Sequence, residues 1–329
     1  MIDSARLPVN MTDIHAARHE LEKYARITPL IQSNYLSRKA KGEVYLKLEN
    51  MQLTGSFKFR GAYNRIVHLS DAEKKRGVIA CSAGNHAQGV ALSCKLLGIE
   101  ATIVMPTTAP QAKIEATEGY GATVILHGSS FDEAHEYCHQ LVDETGLVYI
   151  PPYNDRYVMA GQGTIGLEIL NQLWDVDNVI VPVGGGGMIS GIAVALKTFN
   201  PNIKVIGVQA ENIHGMTSSF HGHALTTHKE GVTLADGCAV ATPGTMTYEV
   251  VSELVDDMVL VNEEEIQQAI KVLIQRTKIV CEGAGALSTA ALLSGKIKPE
   301  LLEGKKTVNI VSGGNIDLTK LEEIIEHLM

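Results

Sequence analysis

Short runs of buried-type residues alternate along this chain with stretches whose apolar positions recur at helical spacing. Val78-Ile79-Ala80-Cys81 is a continuous apolar run, the signature of a strand covered on both faces, and it feeds a helical segment beginning near Gly84. Ala101-Thr102-Ile103-Val104-Met105 and Ala122-Thr123-Val124-Ile125-Leu126 repeat the unit, each followed by a helical stretch. Val179-Ile180-Val181-Pro182-Val183, Val205-Ile206-Gly207-Val208, Met258-Val259-Leu260-Val261 and Thr307-Val308-Asn309-Ile310-Val311 add further near-continuous strands. A βαβ series of this kind builds an α/β fold of mostly parallel sheets with flanking helices, and the pattern favours two sheets over one. Pro151-Pro152-Tyr153 reads as a rigid crossing between two α/β halves. Residues 214–234, rich in His, Ser, Thr and Gly, read as a mobile surface loop.

Composition narrows the function classes. With 329 residues, 45% hydrophobic and 20% charged, the chain is long enough for one large or two medium cores. Its formal charge of −9 argues against nucleic acid or an acidic membrane as partner, and the basic run Lys74-Lys75-Arg76 is short enough to be a helix end. Met1-Ile2-Asp3-Ser4-Ala5-Arg6 does not have the form of a leader, and no run of about 18 apolar residues occurs, so a cytoplasmic protein is expected. Cys81, Cys94, Cys138, Cys238 and Cys281 are odd in number and lack a Cys-x-x-Cys pair, which disfavours disulfides and structural zinc.

Candidate chemistry sits at three turns. Lys58 lies in Thr54-Gly55-Ser56-Phe57-Lys58-Phe59-Arg60-Gly61; its amine could hold an aldehyde cofactor as a Schiff base and act as a base. Gly184-Gly185-Gly186-Gly187 follows a buried strand and precedes a helix over 188–199, so backbone N–H groups there, with Met188 next to them, can face a phosphate. The run lacks the Lys-Ser/Thr of a P-loop and the spacing of a dinucleotide fingerprint. Ser82-Ala83-Gly84-Asn85-His86 also turns a strand into a helix, and its backbone donors with Ser82, Asn85 and His86 could hold a substrate carboxylate. Each feature alone has a plainer reading: a surface lysine, a flexible turn, an N-cap serine beside a structural Asn. In combination they specify a cofactor, its phosphate and an amino-acid substrate. The pairs and groups His135/His139 and His221/His223/His228 have metal-ligand chemistry, but sequence supplies neither a third ligand nor a supporting acid, so they read as a solvated helix face and a polar loop, with no metal site.

With Thr28-Pro29-Leu30, Lys47-Leu48-Glu49-Asn50, Ala160-Gly161-Gln162-Gly163-Thr164, Glu282-Gly283-Ala284-Gly285-Ala286 and Ser312-Gly313-Gly314-Asn315, these segments make nearly the whole chain resemble the fold-type II pyridoxal-phosphate enzymes. Among them it resembles the biodegradative threonine dehydratases, or threonine ammonia-lyases, with serine racemase a close cousin. The resemblance implies a tryptophan synthase β-like fold: two open twisted sheets, a large domain from 1–52 and 153–329, a small domain of 53–152 inserted into it, and the active site in the cleft between. It implies pyridoxal 5'-phosphate on Lys58, Phe57 stacked on its ring, Asn85 on the ring hydroxyl and Ser312 on the ring nitrogen. The activity implied is conversion of L-threonine to 2-oxobutanoate and ammonia, and of L-serine to pyruvate and ammonia. Rivals are a serine racemase or hydroxyaspartate dehydratase, a β-replacement enzyme, and a non-catalytic binding protein. Ala83 and Gln209 stand where the racemase pattern has a serine and a metal-ligating glutamate. A homodimer or homotetramer, activation by AMP at a subunit interface and, with the chain ending at Met329, no inhibition by isoleucine are further expectations.

Overall fold

The computed structural model describes residues 6–326; the N-terminal reading above, except for Arg6, and the position of Met329 lie outside these. Ten strands are present among them: β1 (Leu30–Gln32), β2 (Glu43–Leu48), β3 (Val78–Cys81), β4 (Ala101–Met105), β5 (Thr123–Leu126), β6 (Val148–Tyr149), β7 (Asn178–Pro182), β8 (Lys204–Ala210), β9 (Asp257–Val261) and β10 (Lys306–Val311). They form a six-stranded sheet of order β1-β2-β10-β7-β8-β9 and a four-stranded sheet of order β5-β4-β3-β6. Only β1 and β2 pair antiparallel. All four residues of β3 and all five of β7 are buried, as strands covered by helices on both faces must be. The two sheets anticipated from the apolar runs are therefore present, and the four-stranded one is drawn wholly from residues 78–149.

Three elements escaped the pattern. In β2 the apolar run is broken by Lys47, whose side chain is nevertheless buried, and β1 and β6 have only three and two residues. Residues 214–234 are not a loop throughout: Gly215–Gly222 is a helix that buries Gly215, Met216, Thr217 and Ser219. Met216 joins the main core, which fixes the start of this segment. The cysteines are free, and all but Cys238 are buried.

Helix Arg156–Gln172 sets the geometry of the site. Gly161 lies so close to helix Lys58–Val67 that a side chain there would strike the Arg60 carbonyl, and Gly163 meets the Gly191 carbonyl of helix Gly187–Phe199. Two helix starts are thus held at fixed separation by backbone contact with a third helix.

Ion pairing locks the same arrangement. Arg60 donates to both carboxylate oxygens of Glu49 at 2.8 and 2.7 Å and to Glu168 Oε1 at 2.7 Å, while Lys47 donates to Glu168 Oε2 at 2.6 Å. Arg60, Glu49 and Lys47 are essentially solvent-free. Burial drives the Lys47 amine down from its usual range, although Glu168 opposes that. Burial works against the Glu168 carboxylate too, but Arg60 and Lys47 together hold its pKa below the usual value. Two cations and two anions make the cluster neutral, which is what allows it to be buried. Glu49→Gln leaves Arg60 with one charged partner; chemical denaturation should show a loss of about 3–5 kcal/mol, and a loss below about 1 kcal/mol would contradict this account.

Candidate active site

Lys58 is placed by an unusual turn. Thr54 and Gly55 both have positive φ, 63° and 76°, a conformation that costs Thr54 energy and that neighbouring bonds must hold. The Thr54 carbonyl accepts from Asn315 Nδ2 at 2.8 Å, the Gly55 carbonyl from the Gly314 N–H at 2.9 Å, and the Phe57 N–H donates to the Ser312 carbonyl at 3.1 Å. The segment after β10 therefore clamps the residues before Lys58. Lys58 then opens its helix and sends Nζ to the Pro152 carbonyl at 3.0 Å. The residue is half-buried, and enclosure by protein pushes its amine down to about 8, with Cys238 and Glu282 opposing the shift.

The second turn follows β3. Helix Asn85–Leu97 carries no side-chain cap, and a methyl group on Gly84 would meet nothing within 4 Å, so open space lies before its first N–H groups. Ser82 Oγ accepts from the Gly84 N–H at 3.1 Å and shapes the turn. Ala83, half-buried, packs against the core of the four-stranded sheet. His86 is used differently from the sequence reading: burial and the Lys58 charge push its imidazole down to about 3, so the ring is neutral, and Nε2 donates to the Ile150 carbonyl at 2.9 Å. Asn85 Nδ2 donates to Glu282 Oε1 at 2.6 Å, and Asn85 Oδ1 accepts from Asn315 at 2.7 Å. Burial, then the charge of Asp236, pushes the Glu282 carboxyl up to about 8, so near neutral pH it carries a proton.

The third turn follows β7. Gly186 has φ 93°, and a side chain on Gly185 would collide with the Tyr153 ring, so the ring lies directly over the loop. Thr247 Oγ1 holds the Gly185 carbonyl at 2.6 Å, and Gln209 Nε2 reaches the Gly184 carbonyl at 3.5 Å. Helix Gly187–Phe199 has no side-chain cap either, so the N–H groups of Gly187 and Met188 are left to an anion. The Met188 side chain belongs to the main core; only its backbone can take part. Ser312, buried at the end of β10, and half-buried Phe57 complete the surroundings, with Lys58 Nζ 5.4 Å from the Phe57 ring centroid.

An enclosed amine of lowered pKa, a side-chain-free phosphate cradle and a second uncapped helix start fit a phosphorylated aldehyde cofactor together with a carboxylate-bearing substrate. Short contacts link these parts: the Phe57 N–H meets the Ser312 carbonyl, Lys58 Nζ meets Pro152 beside the Tyr153 ring that covers Gly185, and Gly313 lies against Asn85. Sequence reasoning missed Tyr153, Thr247, Glu282 and Asn315. Tyr153 sits at the predicted Pro-Pro crossing and Glu282 and Asn315 lie in segments singled out for their pattern; Thr247 carries no local signal, because its role comes from a helix packed against the loop.

Comparison with known proteins bears on this arrangement. Residues 21–313 match the family described as pyridoxal-phosphate dependent enzyme. A catabolic L-threonine dehydratase, TdcB, of Staphylococcus aureus is 62% identical over 320 residues, covering 97% of this chain and 92% of its own length. Among solved structures, threonine deaminase isoform 2 of Solanum lycopersicum is 42% identical with a TM-score of 0.90, covering 96% of this chain and 86% of that one. Maize serine racemase is 36% identical with a TM-score of 0.92, covering 98% of each.

Only a neutral amine attacks an acylating reagent, so the rate of Lys58 acetylation in the cofactor-free protein should rise with pH and level off above about 8, well before the ordinary lysine value of 10.5. Peptide mapping after brief acetic anhydride pulses reads this, and a Lys58 profile matching the exposed lysines would refute the desolvated amine. Gly185→Ala should weaken pyridoxal-phosphate binding about tenfold or more, because overpacking of about 1–3 kcal/mol falls on the loop and Tyr153; an unchanged Kd by fluorescence titration contradicts the cradle.

Proposed function

We propose, for a chain that belongs to the pyridoxal-phosphate dependent enzyme family, a dehydratase that converts L-threonine to 2-oxobutanoate and ammonia and L-serine to pyruvate and ammonia. The observation that carries this reading is Lys58: an amine brought to about 8, opposite two uncapped helix starts that can take a phosphate and a carboxylate. The 62% identity to a threonine dehydratase over 97% of the chain supports the substrate assignment.

When bound, pyridoxal phosphate supplies an electron sink that makes the α-proton of an amino acid acidic. The residues around it divide the remaining work. Backbone N–H groups of Gly186, Gly187 and Met188 would hold the phosphate, and Phe57 would pack against the ring. N–H groups of the Ser82-Ala83-Gly84-Asn85-His86 turn, helped by the Ser82 hydroxyl, hold the substrate carboxylate and so orient Cα toward Lys58. Lys58 Nζ, a substantial fraction of it neutral near pH 8, takes the α-proton. Asn85 would meet the ring hydroxyl, its amide fixed by Glu282 and Asn315. Ser312 would offer the ring nitrogen a neutral hydroxyl, which does not enforce protonation there and would suit loss of a β-substituent. Residues 53–152 form a small domain set into a large one of 1–52 and 153–329, with this chemistry in the cleft. A cytoplasmic homodimer or homotetramer with AMP as effector completes the proposal.

The racemase reading has the maize serine racemase likeness in its favour. Racemisation also requires an acid on the side of Cα opposite Lys58, and Ala83 offers only a methyl group there. Gln209 Oε1 accepts from both the N–H and the hydroxyl of Thr217, at 2.8 and 2.9 Å, so this oxygen is already committed within the fold.

Lys58→Ala should abolish the visible absorbance of the bound cofactor and all but a trace of oxoacid formation while leaving the far-ultraviolet circular dichroism intact; retained turnover sinks the assignment. Chiral chromatography of L-serine reactions should give pyruvate with negligible D-serine from the wild type, and measurable D-serine from Ala83→Ser. D-serine at rates near pyruvate formation in the wild type would mean that the racemase reading is correct.

A further inference from the structure

Outside the cleft, helix Phe131–Thr145 brings two imidazoles together in a geometry that the helical spacing alone does not guarantee. His135 Nε2 and His139 Nε2 lie 3.3 Å apart, and the Tyr149 hydroxyl, on edge strand β6, lies 3.4 Å from His135 Nε2. Zn–N bonds of about 2.0–2.1 Å at a tetrahedral angle of about 109° separate two ligand nitrogens by about 3.3 Å. The spacing between the two imidazole nitrogens is therefore the bite of one tetrahedral ion. As a hydrogen-bonded cluster the same three atoms are poorly served, since His135 Nε2 of a neutral imidazole has either one hydrogen or one lone pair for two neighbours.

The surroundings favour a cation. The helix carries Asp132, Glu133, Glu136, Asp143 and Glu144 and no Lys or Arg. His139 is exposed, and His135 and Tyr149 are half-buried, so an ion can enter from solvent and keep a water ligand. Among the described residues no group of three His, Cys, Asp or Glu could hold a metal, and His135 with His139 supplies only two such ligands; the phenol oxygen, a harder and weaker ligand, is the third.

We propose that His135, His139 and Tyr149 form a surface site for a borderline divalent transition-metal ion, of which Zn²⁺ is the probe, with solvent in the fourth position. The site lies on the small sheet, three residues from Pro152, whose carbonyl holds Lys58 Nζ.

Calorimetric titration of the holoenzyme with Zn²⁺ tests it, in a His15→Gln/His19→Gln background that removes the other histidine pair at the same spacing. One saturable equivalent is expected, its affinity reduced at least about tenfold by His139→Gln or His135→Gln and several-fold by Tyr149→Phe. Zn²⁺ should also raise the thermal midpoint of the background protein, but not that of its His139→Gln variant. Absence of saturable binding, or binding untouched by both histidine substitutions, overturns the site; affinity unchanged in Tyr149→Phe overturns the phenol's place in it. None of these residues belongs to the catalytic cleft, so oxoacid formation without added metal should be unchanged in all the variants.

Discussion

Everything in this molecule that touches chemistry leans on a guanidinium that water does not reach. Arg60 stands two residues beyond Lys58, and its partners come from elsewhere: Glu49 from the turn after β2, Glu168 and Thr164 from helix Arg156–Gln172. A buried cation tolerates no loss of partners, because desolvation then goes uncompensated. The requirement fixes the Lys58 helix against both the six-stranded sheet and the helix that also sets the glycine loop. Gly161 and Gly163 make that fixing tight, since backbone rests on backbone with no rotamer to absorb error.

Desolvation then does the electrostatic work at the cleft, and it acts with opposite sign on neighbours of opposite charge type. It lowers Lys58 to about 8 and His86 to about 3, and it raises Glu282 to about 8. Around neutral pH the site therefore holds an amine that can lose its proton, a carboxyl that can keep one and an imidazole that stays neutral. Enclosure by the surrounding protein thus sets the protonation states of all three groups.

Much of this was legible in the sequence because it is local. Continuous apolar runs announced β3, β4, β7, β8 and β10, and the glycine loop announced a helix start with unobstructed N–H groups. Lys58 stood out through its neighbours. What stayed hidden is non-local. Lys47 broke the apolar pattern of β2 because its buried charge is matched by Glu168, 121 residues away, and no window around β2 contains that partner. Thr54, a residue that ordinarily avoids positive φ, is held there by Asn315 from the opposite end of the chain. The His86 ring looked like a substrate ligand until the Ile150 carbonyl claimed it. Residues 214–234 looked like a loop because their polar composition hides one buried face of a short helix.

The uncapped helix starts bear on stability as well as on chemistry. Six helices close their first turn with Asn10, Ser33, Ser70, Ser130, Asp155 or Asn262, each such cap contributing about 1 kcal/mol, whereas the helices entered from Pro110, His214, Gly244 and Glu282 have no side-chain cap. At Phe57, Gly84 and Gly186 no side chain does so, and that part of the stabilisation is left to whatever anion the cleft receives. An anion bound there would supply it, so the protein carrying its phosphorylated aldehyde should resist heat better than the empty one.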